Sequence, residues 1–192
     1  MVHHDDDGLW VFATRELARR PGTMRTVRRT VSAPSVIGTD VIGVPLGDPV
    51  ELELTMESVV EGVLATVEID ADATGVCVRC LDETGYHVQV RAQELFAYPE
   101  RVQRHAQHDA PAASEQEQYE LQDDTIDLET VVRDAIVTAL PFQPVCRPDC
   151  PGLCAQCGVR LADEPLHAHD TVDPRWAALA DLAGSNHPER RT

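Results

Sequence analysis

VELELTMESVVEGVLATVEID, residues 50–70, decides the fold. Val50, Leu52, Leu54 and Met56 alternate with Glu51, Glu53, Thr55 and Glu57; beyond Gly62, Val63, Ala65, Val67 and Ile69 alternate with Leu64, Thr66, Glu68 and Asp70. A period of two sends successive side chains to opposite faces of a strand, so each run predicts a strand with one face buried and one wet. Tyr86, Val88, Val90 and Ala92 repeat the pattern against His87, Gln89, Arg91 and Gln93. Gly62, Gly75 and Gly85 punctuate these runs, and the predicted turn is Asp-Ala-Asp-Ala-Thr-Gly, residues 70–75. Half-buried strands joined by short turns predict an antiparallel β-meander or small open barrel over residues 37–98.

Downstream the period changes. Leu128, Val131, Val132, Ala135, Ile136, Ala139 and Leu140 follow helical spacing and form one apolar stripe, with Glu129, Arg133 and Asp134 opposite. Asp127 can cap this helix and Pro141 stops it. The class is therefore α+β, with one amphipathic helix packed on the sheet and delivering the segment after Pro141 to the sheet's edge. That segment is a Pro- and Gly-broken loop carrying Cys146, Cys150, Cys154 and Cys157. Such a loop lacks a hydrophobic core of its own, and a metal ligand set can replace one.

Spacing supports a metal. Cys154-Ala-Gln-Cys157-Gly158 is a C-x-x-C-G knuckle, in which two thiolates can reach one ion about 2.3 Å away and the glycine permits a tight turn. Cys77-Val-Arg-Cys80 is a second C-x-x-C, lying between strand-like runs. Zinc takes four such ligands, and six cysteines exceed one site. Two assignments are open: a local site of Cys146, Cys150, Cys154 and Cys157, or a long-range site joining Cys77 and Cys80 to a downstream pair. His167 and His169 are spare ligands at best. Three rival chemistries fit less well. The C-x-x-x-C-x-x-C run matches radical enzymes with an iron–sulfur cluster, but their large barrel does not follow it. Thioredoxin-like chemistry needs its C-x-x-C at the start of a helix. A secreted disulfide framework has no export signal at Met1-Val-His-His-Asp-Asp-Asp to support it.

The formal net charge is −17, and all 16 basic residues are arginine. So acidic a chain is not a general nucleic-acid binder. Charge reverses locally, however: Arg15, Arg19, Arg20, Arg25, Arg28 and Arg29 face Glu16 alone between residues 15 and 30. The guanidinium fork suits phosphate, so these six are candidate RNA contacts; the plainer reading pairs them with the chain's own carboxylates. Leu9-Trp-Val-Phe-Ala reads as a short strand, and Arg15 to Arg20 as a brief helical turn stopped by Pro21-Gly22. Residues 99–124 are polar and without period, and read as a linker in which His105 and His108 are solvated. Asp173-Pro174 to Gly184 reads as a short amphipathic helix.

The expected organisation is an Arg-rich segment (1–36), the β region (37–98), a polar linker (99–124), the helix and Cys-rich loop packing with the β region as one domain (125–162), and a tail (163–192). No run approaches the ~20 apolar residues of a membrane span. No Ser-His-Asp set, phosphate loop or catalytic carboxylate pair stands out, so neither an enzyme nor a small-molecule substrate is expected.

Gly38-Thr-Asp-Val-Ile-Gly-Val-Pro, Glu61-Gly-Val-Leu64, Cys77-Val-Arg-Cys80-Leu81, Gln93-Glu-Leu-Phe96, Ile126-Asp-Leu-Glu129 and Leu140-Pro141 before Cys-Pro-Gly-Leu-Cys, in this order, resemble the YceD family. The resemblance covers most of the chain. It implies a cytoplasmic bacterial ribosome-biogenesis factor required for accumulation of large-subunit (23S) ribosomal RNA, with that RNA or a basic ribosomal protein as partner. The family's C-x-R-C corresponds to Cys77, Arg79 and Cys80, and its C-terminal cysteine loop to Cys146, Cys150, Cys154 and Cys157. It has no established active site to carry over.

Overall fold

The computed structural model describes residues 10–100 and 119–169, together with positions 175 and 179. Most of the polar linker and nearly all of the proposed tail helix lie outside the described residues.

The alternating runs form strands, and every strand pairing among the named elements is antiparallel. β5 (Pro49–Ser58), β6 (Gly62–Val76) and β7 (Glu83–Ala97) make the meander. β2 (Met24–Ser32) lies along the outer edge of β5, and the short pair β3 (Ile37–Gly38) and β4 (Ile42–Val44) continues that edge along β6 beyond the end of β5. β1 (Val11–Ala13) and β8 (Thr125–Asp127) form a separate two-stranded sheet. The result is the strongly curled, half-barrel sheet that half-wet strands predict.

The turn expected at residues 70–75 is not there. Those residues continue β6 without a break, with Ala71 and Ala73 buried and their neighbours facing outward. Their composition is turn-like for a different reason. A Cβ at Gly75 would collide with the Val41 carbonyl oxygen and the Ile42 backbone, so glycine is what lets β4 cross close to β6. The actual reversal comes later, at Cys77 to Asp82. Residues 15–22 also differ from expectation. They run as successive turns, closed by Leu17 N–H to Thr14 O and Thr23 N–H to Arg20 O, and form no helix. Leu17 is nevertheless buried: the apolar side chain anchors the loop where Pro21-Gly22 ends any helical run.

Helix α1 (Glu129–Ala139) follows β8. The Asp127 carboxylate accepts the Glu129 N–H at 2.9 Å, and Leu140, held before Pro141, turns extended. Its stripe of Leu128, Val131, Val132, Ile136 and Leu140 buries against the inner face of the sheet, where Val50, Leu52, Leu54, Met56, Val63, Val67, Ile69 and Phe96 complete one continuous core. Among the described residues no helix is long and apolar enough to cross a membrane.

The candidate metal centre

The β6–β7 reversal is built around Cys77. Cys77 N–H donates to Asp82 O at 2.7 Å and Leu81 N–H returns to Cys77 O at 2.9 Å, with Leu81 left-handed at φ 61°. α1 ends at Ala139, two residues before Pro141, and the chain then runs back to this turn, where Val78 N–H donates to Pro144 O at 2.9 Å. That contact brings Cys146 and Cys150 over Cys77 and Cys80. The Sγ atoms of Cys77 and Cys150 are 3.8 Å apart and those of Cys80 and Cys146 3.6 Å, and all four lie within 4.8 Å of one another. Ligands about 2.3 Å from a tetrahedral ion sit about 3.8 Å from each other, so the four sulfurs have the spacing that a zinc-class ion requires.

Arg79 fastens the arrangement. Its guanidinium donates to the carbonyls of Pro148 at 3.2 Å and Cys150 at 3.0 Å, while its own carbonyl accepts Leu153 N–H at 3.0 Å. Gly152, at φ 78°, allows that approach; a Cβ there would press on the Arg79 carbonyl. The arginine of the C-x-R-C motif thus holds the loop onto the turn. Its role as a fastener is invisible in sequence because both partners are carbonyl oxygens about 70 residues away.

Four thiols at this spacing cannot all ionise without a cation between them, and the proton affinities show the conflict. Burial pushes the Cys77 thiol up, but N–H groups of Cys146, Cys80 and Arg79 aimed at its sulfur outweigh burial and bring it down to about 6. Cys80 is pushed up to about 12, by burial first and then by its thiol neighbours, and Cys146 is raised for the same reasons. The Cys77 thiolate is favoured, while Cys80 and Cys146 hold their protons more tightly. A divalent cation removes the conflict by displacing those protons.

Cys154 and Cys157 do not join this cluster. They converge instead with His167 and His169, again with all four ligand atoms within 4.8 Å. The described residues therefore hold two clusters that could bind a metal ion, each built on one of the two C-x-x-C pairs. Sequence reasoning set the histidines aside as spare. The signal that could have promoted them is His-x-His placed just after a knuckle whose own second ligand pair is taken elsewhere.

The six candidate RNA-binding arginines are dispersed. Arg28 makes a two-pronged pair with Glu53, both bonds 2.9 Å, and Arg25 pairs with Glu16. Arg19 pairs with Asp124 at 3.0 Å and lies over the Tyr98 ring; Arg29 donates to Val11 O at 2.9 Å and covers the Phe12 ring. Arg15 and Arg20 are exposed on the 15–22 loop, with no ion-pair partner among the described residues. Arg28 also borders a shallow trough of about 750 Å³ across the wet face of β2, β5, β6 and β7, where the four carboxylates of Glu51, Glu53, Glu68 and Asp70 outnumber the three arginines, Arg28, Arg29 and Arg91.

An uncharacterized protein of Mycobacterium tuberculosis (strain H37Rv) is 47% identical over 168 residues, covering 88% of this chain and 78% of the relative. One from Mycobacterium leprae is 41% identical over 179 residues, covering 93% and 80% respectively. No solved structure matches. The family model described as large ribosomal RNA subunit accumulation protein YceD matches residues 65–183, a span holding both C-x-x-C pairs, Arg79 and the loop that Arg79 fastens. The chain belongs to the YceD family.

Proposed function

We propose that this protein is a non-catalytic, cytoplasmic ribosome-biogenesis factor that supports accumulation of large-subunit ribosomal RNA, with zinc at Cys77, Cys80, Cys146 and Cys150 as a structural element. The family match over residues 65–183 carries the reading. The site's role follows from its position. It ties the β6–β7 turn to the segment after α1, and so fixes the shape of the surface that a partner meets.

RNA contact rests first on Arg15 and Arg20, whose guanidiniums are not committed to partners among the described residues, and next on Arg28, whose side chain is 78% exposed despite its pairing with Glu53. Arg19, Arg25 and Arg29 contribute by shaping the same edge. A second reading is favoured by the trough on the wet face: its carboxylates suit a basic ribosomal protein, held without RNA contact.

Titration of the full-length protein with large-subunit rRNA fragments, read by fluorescence anisotropy over a salt series, tests the first reading. Binding should weaken with salt, and Arg15→Glu with Arg20→Glu should lower affinity and flatten the log–log salt slope by about 1–2. Absence of RNA binding at low salt, with binding of an Arg/Lys-rich peptide retained, would select the second.

A further inference from the structure

The Cys154–Cys157 turn repeats the backbone of the Cys77–Cys80 turn. Cys154 N–H donates to Val159 O as Cys77 N–H does to Asp82 O, and Gly158 N–H returns to Cys154 O as Leu81 N–H does to Cys77 O, both bonds of the second turn being 2.8 Å. The residue after the second cysteine is left-handed in each, Leu81 at φ 61° and Gly158 at φ 75°. The N–H groups of Gln156 and Cys157 address the Cys154 sulfur as those of Arg79 and Cys80 address Cys77. Two unrelated stretches of sequence have adopted one ligand-presenting turn.

Across from the second turn stand two imidazoles. His167 Nε2 and His169 Nε2 are 2.9 Å apart and each is 3.2 Å from Cys157 Sγ. A hydrogen bond places one proton between two atoms, and a neutral imidazole has a single ring N–H, so three atoms converging on one point are not satisfied by hydrogen bonding among themselves. His167 Nδ1 lies 3.3 Å from Glu164 Oε2. Glu164 can accept a hydrogen bond from Nδ1–H on the far side of the ring, which leaves Nε2 presenting a lone pair to the cluster; carboxylates orient metal-bound histidines in this way. Two nitrogens and two sulfurs around a tetrahedral zinc-class ion would lie about 3.3–3.8 Å apart, slightly wider than the distances found.

We infer that Cys154, Cys157, His167 and His169 form a second site for a zinc-class divalent cation, one that exchanges independently of the four-thiolate site and fastens residues 162–169 to the loop. Three contrasts support independent exchange. The four-thiolate cluster contains two buried cysteines, whereas in this one Cys157 and His169 are exposed and Cys154 and His167 are half-buried. Cys157 lies 10 and 12 residues from its histidine partners, against separations of 66 and 73 in the first cluster, so no core element depends on the second ion. Its ligands offer two thiolate charges where the first offers four. Glu164 is the positioning residue.

The second site shares with the proposed function the reading of the first cluster as a metal site, and the test separates the two. Full-length protein saturated with zinc is examined by native mass spectrometry, then challenged with a colorimetric zinc chelator. Wild type should carry two ions and release one at least about tenfold faster than the other. His167→Ala with His169→Ala should carry one ion, lose only the fast phase and keep the wild-type melting temperature. Cobalt substitution gives an independent readout, because the thiolate-to-metal absorption lost with the histidines should be about half that remaining. A single ion unaffected by the histidine changes would overturn the second site and spare the first, and two ions leaving in one phase would overturn its independent exchange. No bound metal in any variant would overturn both.

Discussion

Arg79 grips the C-terminal loop twice, by its side chain at Pro148 and Cys150 and by its backbone at Leu153. Single residues of this kind do work that patterns of hydrophobicity do not announce. His87 is another. It stands on the wet face of β7 with Nδ1 2.9 Å from Asp72 and Nε2 3.3 Å from Asp70, and the hydrogen bond to Asp72, followed by the charge of Asp70, raises its pKa above the ordinary 6.5. A raised folded-state value means that the imidazolium contributes stability in full below about pH 6.5, and the contribution is lost as pH rises through the folded value. His87→Gln should therefore lower the melting temperature at about pH 5.5 by more than at about pH 8.5, where wild type and variant converge. The shift is small because all three side chains are well exposed. A variant equally destabilised at both values would show that His87 acts through packing alone.

At the level of elements, alternation and helical spacing made β5, the first part of β6, β7 and α1 legible, because burial on one face imposes a period that survives in the sequence. One reading failed where composition and context disagree. Residues 70–75 have turn chemistry yet extend β6, since their alternation continues through small alanines and Gly75 answers to a neighbouring strand, which no local pattern records. In the same way the partner of Cys77 and Cys80 was undetermined, because choosing among downstream cysteines requires knowing where α1 sets its end. Gly75→Ala against Gly85→Ala tests the close crossing. A Cβ at Gly85 meets only Ala73 O, at 3.9 Å, whereas one at Gly75 strikes β4. Denaturant unfolding should show Gly75→Ala destabilised by about 1–3 kcal/mol and Gly85→Ala within about 0.5 kcal/mol of wild type. Equal costs would mean that β4 yields without resistance.

For the whole molecule, the cluster of Cys77, Cys80, Cys146 and Cys150 brings together parts of the chain 66 and 73 residues apart, which the proposed ion would cross-link. A covalent closure of a loop that long stabilises by about 4 kcal/mol through the unfolded state, and a metal bridge acts on the same entropy. Cys77→Ser with Cys150→Ser should therefore unfold at clearly lower denaturant than zinc-loaded wild type, by about 2–4 kcal/mol. A cost below about 1 kcal/mol would show that the core of α1 and the sheet already holds the loop in place without the ion.

The same separation has a temporal side. Cys77 and Cys80 leave the ribosome well ahead of Cys146 and Cys150, by 73 residues in the case of Cys77 and Cys150, which at about 5–20 residues per second is a delay of roughly 4–15 s. Through that interval the first turn has no partner thiols from its own chain. Full coordination becomes possible only once the sheet and α1 have been synthesised, so capture of the proposed ion would mark the moment at which the elements of the core are all present in a nascent chain.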